Sequence, residues 1–263
     1  MLLLDVTTRL RLGPFRLTRR LAEGAFGERW LALHERAMSS HVIYRFAPAH
    51  RDGFLAMMER AATLNHGHIL KIEHFDIDEH GQPFCVTPFT GDRDGVLTLG
   101  QLIKAKGGMF SLEEAKRGAD QLLSAIAHAH RLGCPHGPLS MDEVLIDRHG
   151  SLKLELYGVA RMLGHPENDV AEQQRREVQN AMAILYQMIT GLRYEEPLIL
   201  PGRVVAGLNK CWDNLFETGL QEPGFASGAH ALAALRACVT DPASRFFSLA
   251  RVRASIQRAM WVG

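Results

Sequence analysis

The spacing of apolar residues changes near residue 90, and this change limits the fold more than any other feature of the chain. Before it, short alternations of apolar and polar residues bounded by turn residues indicate strands, with one helical segment at residues 54–64. After it, apolar residues recur at helical spacing. The chain is therefore predicted to have an α+β fold with two lobes. Residues 1–90 form a small β-rich lobe and residues 91–263 a larger helical lobe.

Local signals mark the ends of two long helices in the second lobe. Ser111 is followed three residues later by Glu114, the spacing of a capping box, so a helix should begin there. Asp169 and Glu172 repeat this pattern before a second apolar stripe. Gly191 follows that stripe and is expected to end the second helix.

The overall composition argues against several kinds of partner. Lys and Arg total 30 and Asp and Glu total 29, so the strong positive patch expected of a nucleic-acid-binding protein is missing. No apolar run reaches the roughly 18 residues of a membrane-spanning helix. The four cysteines are scattered and form no C-x-x-C pair, which favours a reducing compartment. A cytoplasmic protein without a membrane span or a nucleic-acid partner is expected.

Two histidine pairs, His66 with His68 and His128 with His130, invite comparison with metal sites. Residues two apart on a helix point in different directions, and no cysteine or carboxylate stands at ligand spacing beside them. We therefore expect no metal site.

Short motifs occur in a fixed order along nearly the whole chain: LAEGAFG at 21–27, VIYR at 42–45, LNHGHI at 64–69, HGPL at 136–139, LKLELYG at 152–158, LYQMITG at 185–191 and DPASR at 241–245. In that order they resemble parts of the protein kinase superfamily, in its Ser/Thr kinase-like form. Those parts are the glycine-rich loop, V-A-I-K, the turn after helix αC, H-R-D-L, the strand ending in D-F-G, the end of helix αF and D-P-x-x-R. Because each motif alone is weak, the resemblance depends on their order and spacing.

The same resemblance implies that the catalytic residues are lost. An active kinase uses a lysine paired with a glutamate of helix αC, an aspartate base, and an Asn and an Asp that hold Mg²⁺. The positions that match these residues are, in that order, Arg45, Met57, Pro138, Glu143 and Leu156. Losing a general base costs about 10²–10⁴ in rate. Losing a metal ligand removes several kcal/mol of charge stabilisation as well. No catalytic residue and no bound metal is expected. The ion pair that orients the lysine is also missing, unless Glu59 reaches in from another face of the helix.

The nucleotide pocket of the family is also altered. By resemblance its roof is Arg29 and Ile43, where the family has smaller apolar residues, and its floor is Leu145. Gly24 and Gly27 are what remains of the glycine-rich loop, and we expect them only to turn a hairpin. The chain is therefore expected to bind no cofactor.

The activation segment of the family is short or absent. Only about ten residues separate Gly158 from the helix signal at Asp169, and no A-P-E motif occurs. Glu177 stands where helix αF has an aspartate, and Arg245 lacks its usual glutamate partner. His136 and Tyr157 match the scaffold of the family.

The leading hypothesis is a catalytically inactive pseudokinase that acts as a protein-binding scaffold or allosteric regulator. Its partner would be another protein, such as an active kinase, a phosphatase or another signalling protein. One alternative is an enzyme with relocated nucleotide or metal chemistry that uses Glu143 and Asp142. In this alternative Glu155 takes no part, since strand alternation should turn it away from the cleft. The other alternative is a nucleotide sensor that needs no metal.

A helical stripe formed by Leu208, Trp212, Leu215 and Phe216 falls where kinases carry helix αG. The stripe either packs into the core or leaves Trp212 or Phe216 exposed as an anchor for a partner.

Overall fold

The computed structural model describes residues 11–24, 27–92, 95–159 and 169–240. The first part of the chain builds a six-stranded sheet in which all neighbouring strands are antiparallel. Its strands are β1 (Arg11–Leu12), β2 (Phe15–Arg20), β3 (Glu28–His34), β4 (Ser39–Arg45), β5 (His74–Ile77) and β6 (Pro83–Pro88), in the spatial order β1-β2-β3-β4-β6-β5. Helix α1 (Phe54–Ala62) follows β4.

The two faces of this sheet belong to different apolar clusters. Val42, Tyr44 and Phe46 lie on the face that packs against Met58 of α1. Ile43, on the opposite face, belongs to a second cluster. Successive side chains of a strand point to opposite faces, so the register of β4 decides which residues turn toward α1.

The second part of the chain is mostly helical. It contains a small sheet of β7 (Leu97–Thr98), β8 (Val144–Ile146) and β9 (Leu152–Leu154), and helices α2 (Leu99–Ala105), α3 (Leu112–Arg131), α4 (Val170–Thr190), α5 (Pro201–Val204), α6 (Lys210–Leu220) and α7 (Gly228–Thr240). Helix α3 packs against both α4 and α7, and α6 packs against α4. The predicted α+β architecture, with strands first and helices after, is confirmed.

The predicted helix ends are confirmed by their hydrogen bonds. The Ser111 hydroxyl accepts the Glu114 N–H, and the Glu114 carboxylate accepts the Ser111 N–H at 3.1 Å. The Asp169 carboxylate accepts two N–H groups of the first turn of α4, including that of Ala171 at 2.9 Å. Gly191 ends α4 with a φ of +75°, a left-handed conformation that glycine adopts without strain.

Helix α6 lies in the core of the helical part. Trp212 is 1% exposed and Phe216 is 0% exposed, and both belong to the large apolar cluster between the helices. Of the two alternatives for this stripe, packing into the core is therefore confirmed, and neither Trp212 nor Phe216 is exposed as a docking anchor. Both rings are covered because the stripe turns toward α4 and α7.

Within the described ranges, no helix is both long enough and apolar enough to cross a membrane. The motif at residues 241–245, with Arg245, and the segment 160–168 lie outside the described residues.

Candidate functional site

The loop between β2 and β3 closes over an arginine. Gly24 and Gly27 exchange two backbone hydrogen bonds of 3.2 and 3.3 Å across this turn. Arg29, the second residue of β3, donates from Nε to the Ala22 carbonyl at 2.9 Å. A Cβ atom at Gly24 would lie 2.8 Å from the guanidinium carbon of Arg29. The absence of a side chain at Gly24 therefore makes room for the guanidinium.

Arg29 is paired with a buried carboxylate from the other part of the chain. Its Nη1 atom donates to Glu155 Oε1 at 2.9 Å, and the Tyr44 hydroxyl donates to the same oxygen at 2.6 Å. Arg29, Tyr44 and Glu155 are 5%, 1% and 0% exposed. These three residues, called the cleft network below, connect β3 and β4 to the segment that follows β9. A buried carboxylate needs a partner of this kind, because an isolated buried charge is very costly.

Burial also shifts the protonation equilibria of the cleft network. Desolvation raises the pKa of Glu155, while the Arg29 cation and the Tyr44 hydrogen bond act in the opposite direction. The pKa of Tyr44 is raised by burial first and by the Glu155 charge second. Among the described residues, Glu155 Oε2 has no hydrogen-bond partner.

A second buried carboxylate organises the segment around residue 136. Glu177 of α4 accepts the His136 backbone N–H at 2.8 Å and lies 3.1 Å from His130 Nε2. It also accepts the Tyr157 hydroxyl. The His136 ring accepts the Gly158 N–H at Nδ1, 3.0 Å away, and burial lowers the pKa of this imidazole. Glu177 thus fixes both the loop at His136 and the segment at Tyr157 to α4.

The acidic pair near the same loop is held by local hydrogen bonds. Glu143 Oε2 accepts the Ser140 N–H at 2.6 Å, and Glu143 Oε1 lies 3.9 Å from His136 Nε2. Asp142 Oδ1 accepts the Thr98 hydroxyl at 3.4 Å. Within the described part of the chain, no three His, Cys, Asp or Glu side chains form a group able to hold a metal ion.

No protein-family model matches the chain. Among curated proteins, it is 24% identical over 260 residues to the probable serine/threonine-protein kinase PknB of Bifidobacterium longum, covering 80% of this chain and 37% of that protein. It is 25% identical over 155 residues to human ribosomal protein S6 kinase alpha-2, covering 56% of this chain and 20% of the kinase. The chain therefore spans well under half the length of these relatives.

The fold matches solved kinase domains over most of the chain. The Mycobacterium tuberculosis PknI kinase domain superimposes with a TM-score of 0.69 at 16% identity, covering 89% of this chain and all of that domain. The chain has the fold of a protein kinase domain. In this kinase-like chain, the six-stranded sheet with α1 corresponds to the small lobe and the helices to the large lobe.

Two expectations about the kinase cleft, those for Arg45 and Ile43, are corrected by the register of β4. Arg45 does not face the cleft, since its guanidinium lies 3.3 Å from Asp78 and also contacts Gln82. The β4 side chain that points into the cleft is Tyr44, one residue earlier. Ile43 likewise turns to the opposite face of the sheet, so it does not form the roof. The lysine position of V-A-I-K therefore corresponds to Tyr44, one residue before the Arg45 chosen from the sequence.

The expectation that Glu155 points away from the cleft is also wrong. Strand β9 ends at Leu154, so Glu155 is the first residue of a turn, where two-residue alternation no longer applies. Leu156, at the metal-binding aspartate position of kinases, has a φ of +41° and is fully buried. A left-handed backbone at a leucine is strained and is held here by the surrounding packing.

The remaining kinase positions are occupied as follows. Met57 is half-buried and packs against the cluster of Tyr44 and Phe46, while Glu59 is exposed on the solvent side of α1 and does not replace it. Pro138 is exposed and carries no acceptor group. Leu145 is buried in β8.

Sequence reasoning missed the partnership of Arg29, Tyr44 and Glu155. One available signal was the apolar alternation of Val42, Tyr44 and Phe46, which places Tyr44 rather than Arg45 on the α1 side. The other was Glu155 itself, an acidic residue at the end of an apolar strand opposite a basic residue at the roof position.

Proposed function

We propose that this chain is a pseudokinase, a kinase-fold domain that transfers no phosphoryl group and acts by binding another protein. The observation that supports this most strongly is the cleft network. Its arginine lies under the glycine-containing loop, which in active kinases covers the nucleotide phosphates. Arg29 and Glu155 satisfy each other where a kinase reserves its charged groups for ATP and magnesium.

The lost chemistry supports the same proposal. Pro138 offers no base for the substrate proton, and Leu156 offers no oxygen for a metal ion. Tyr44 provides a neutral hydroxyl where a kinase uses a lysine ammonium. Each of these losses removes a different part of the catalytic apparatus. Because catalytic residues act as a unit, restoring one of them alone does not restore activity. The relatives named above are described as kinases, and the proposal departs from them on these residues.

The alternative of relocated metal chemistry has less support. Glu143 and Asp142 are already hydrogen-bonded to Ser140 and Thr98. A metal would have to break these bonds and would gain few ligands. Glu155 is the other nearby carboxylate, and it is committed to Arg29.

Thermal unfolding with ATP alone and with ATP and Mg²⁺ tests the proposal. We expect no stabilisation in either case, whereas a ligand at 100 times its Kd would add about 2.7 kcal/mol. An active Ser/Thr kinase is the positive control. Stabilisation that needs no metal would support the nucleotide sensor instead. Metal-dependent stabilisation with phosphoryl transfer that Glu143→Ala abolishes would support the relocated enzyme.

A matched variant tests whether the cleft network itself excludes nucleotide. Arg29→Val with Tyr44→Lys opens the roof, and the new lysine still offers a cation to Glu155. We expect this double variant to remain folded and to gain stabilisation by ATP that the native chain lacks. If the variant folds and still gains none, the network is not what prevents binding.

The proposed partner is a signalling protein such as an active kinase or a phosphatase, met in the cytoplasm. The four cysteines, Cys85, Cys134, Cys211 and Cys238, form no disulfide with one another, which is consistent with a reducing compartment. Capture from the source organism, followed by titration with the purified candidate, tests the binding role. Failure of every purified candidate to bind would leave the scaffold role without support.

A further inference from the structure

Three imidazole rings meet where the loop after α1 contacts the helical part. The ring centroid of His66 lies 5.6 Å from that of His68 and 5.3 Å from that of His128, which is in the last turns of α3. The loop is fixed there by backbone hydrogen bonds, including Leu154 N–H to the His68 carbonyl at 2.9 Å. The fold therefore brings His128 of α3 to the two neighbouring histidines of the loop, His66 and His68.

Hydrogen bonds define which nitrogen of each ring remains free. His66 Nδ1 accepts the His68 backbone N–H at 3.2 Å, so in the neutral ring the proton is on Nε2, which is a donor. His68 Nδ1 lies 3.0 Å from the Leu152 carbonyl and donates to it, which leaves Nε2 free to take up a proton. In the described residues, the buried His128 Nε2 has no hydrogen-bond partner.

The surroundings of these rings are electropositive. Burial is the first cause that lowers the pKa of His66, and the neighbouring His128, His68, Lys153 and Arg131 lower it further. They come from α3, from the loop itself and from β9. Lys153 also donates to the Gly67 carbonyl, which places its ammonium beside the loop. None of these five side chains forms an ion pair with a carboxylate in the described part of the chain.

We propose that His66, His68, His128, Lys153 and Arg131 form a binding site for an oxyanion of the phosphate class. The neutral His66 ring would donate from Nε2, and Lys153 and Arg131 would supply fixed positive charge. In their protonated forms, His68 and His128 would each add an N–H donor. None of these residues belongs to the cleft network, so this proposal does not depend on the proposed function.

The proposed site predicts that anion binding and proton uptake are linked. An anion favours the charged form of an imidazole, so binding should strengthen as pH falls through the range in which histidine titrates. The carbonyl end of α3 weakly opposes an anion. Its last carbonyls, however, accept N–H groups of residues 132–134, which reduces this effect. The positive charges of Lys153 and Arg131 therefore outweigh the α3 carbonyls, and the net electrostatic effect on an anion is attractive.

Titration of the full chain with inorganic phosphate tests the site, with sodium chloride at equal ionic strength as reference. Because phosphate itself takes up a proton in this pH range, the pH dependence is measured with sulfate, whose charge stays constant. We expect sulfate to bind about fivefold or more tightly at about pH 6 than at about pH 7.5. His128→Gln should weaken binding at the lower pH and flatten the pH dependence. Lys153→Gln, a change at a half-exposed side chain, is the second variant. His80→Gln, at an exposed histidine in the turn between β5 and β6, is the control and should leave binding unchanged.

Three results would overturn the proposal: phosphate acting no differently from chloride, unchanged affinity in both His128→Gln and Lys153→Gln, or a sulfate affinity that does not change with pH. A parallel titration with phosphoserine distinguishes the source of the ligand. Tighter binding of phosphoserine would assign the site to a phosphorylated side chain of a protein. Tighter binding of inorganic phosphate would assign it to the free ion.

Discussion

Replacing Arg29 with methionine removes the only cation that hydrogen-bonds to Glu155 among the described residues. Methionine keeps much of the volume, so the main effect is an unpaired buried carboxylate. Breaking a buried ion pair at one partner costs about 3–5 kcal/mol. The lost hydrogen bond to the Ala22 carbonyl is worth about 0.5–1.5 kcal/mol, and protonation of Glu155 offsets part of this total. We expect a net loss of about 3–5 kcal/mol near neutral pH.

The pH dependence of this loss identifies its cause. Burial already raises the pKa of Glu155 above its ordinary 4.5, and without Arg29 the folded-state pKa rises further. A carboxyl group with a raised folded-state pKa contributes its full stability below the unfolded-state value and loses it as pH rises through the folded-state value. The penalty of Arg29→Met should therefore shrink on acidification toward pH 4.5 and grow above it.

Urea denaturation of four proteins measures the pair directly: the native chain, Arg29→Met, Glu155→Gln and the double variant. We expect a coupling energy of about 0.5–3 kcal/mol, with the double variant more stable than Arg29→Met. Glu155→Gln should also remove the pH dependence described above. A loss below about 1 kcal/mol in Arg29→Met, together with zero coupling, would refute the buried pair.

Three further predictions concern the helical part. Trp212→Ala should lower the free energy of unfolding by about 3–5 kcal/mol in urea denaturation, because the ring is fully packed. The control Lys210→Ala on the same helix should change it by no more than about 0.5 kcal/mol. Equal losses would contradict the core position of the ring. Glu177→Gln should lower stability by about 1–3 kcal/mol in thermal unfolding, because its amide satisfies fewer of the donors that the carboxylate accepts. An unchanged Tm would contradict this role. Pro138→Asp with Leu156→Asp should give no transfer of radiolabelled phosphate and a less stable protein, since the second aspartate is placed in an apolar cluster. Measurable turnover would show that the lost chemistry is easier to restore than we infer.

The sequence was enough to predict the order of strands and helices because apolar spacing and capping residues act locally. Ser111, Asp169 and Gly191 mark their helix ends with side chains or backbone angles that any fold would use in the same way. The resemblance to kinases then supplied the overall arrangement. This combination predicted the strand at Val144–Ile146 correctly, but it extended the next strand to Leu156, whereas β9 ends at Leu154.

The contacts across the cleft could not be predicted in the same way. Whether Tyr44 or Arg45 faces α1 depends on strand register, and one residue of error reverses the face. Glu155 depends on where β9 ends, which varies by a residue or two in any assignment. The Arg29–Glu155 bond joins residues 126 positions apart, so no local pattern specifies it. The burial of Trp212 was equally undetermined, since an apolar stripe has the same pattern at a core and at an interface.

A kinase domain that binds ATP is stabilised in proportion to the logarithm of the nucleotide concentration. In this chain, the bond that joins the sheet to the segment after β9 is made by Arg29 and Glu155, which are part of the same polypeptide. Because Arg29 and Glu155 are covalently connected, their effective concentration for one another is fixed and does not change with cellular conditions. In the proposed pseudokinase, surfaces formed by both lobes should therefore keep the same shape at high and at low cellular ATP concentrations.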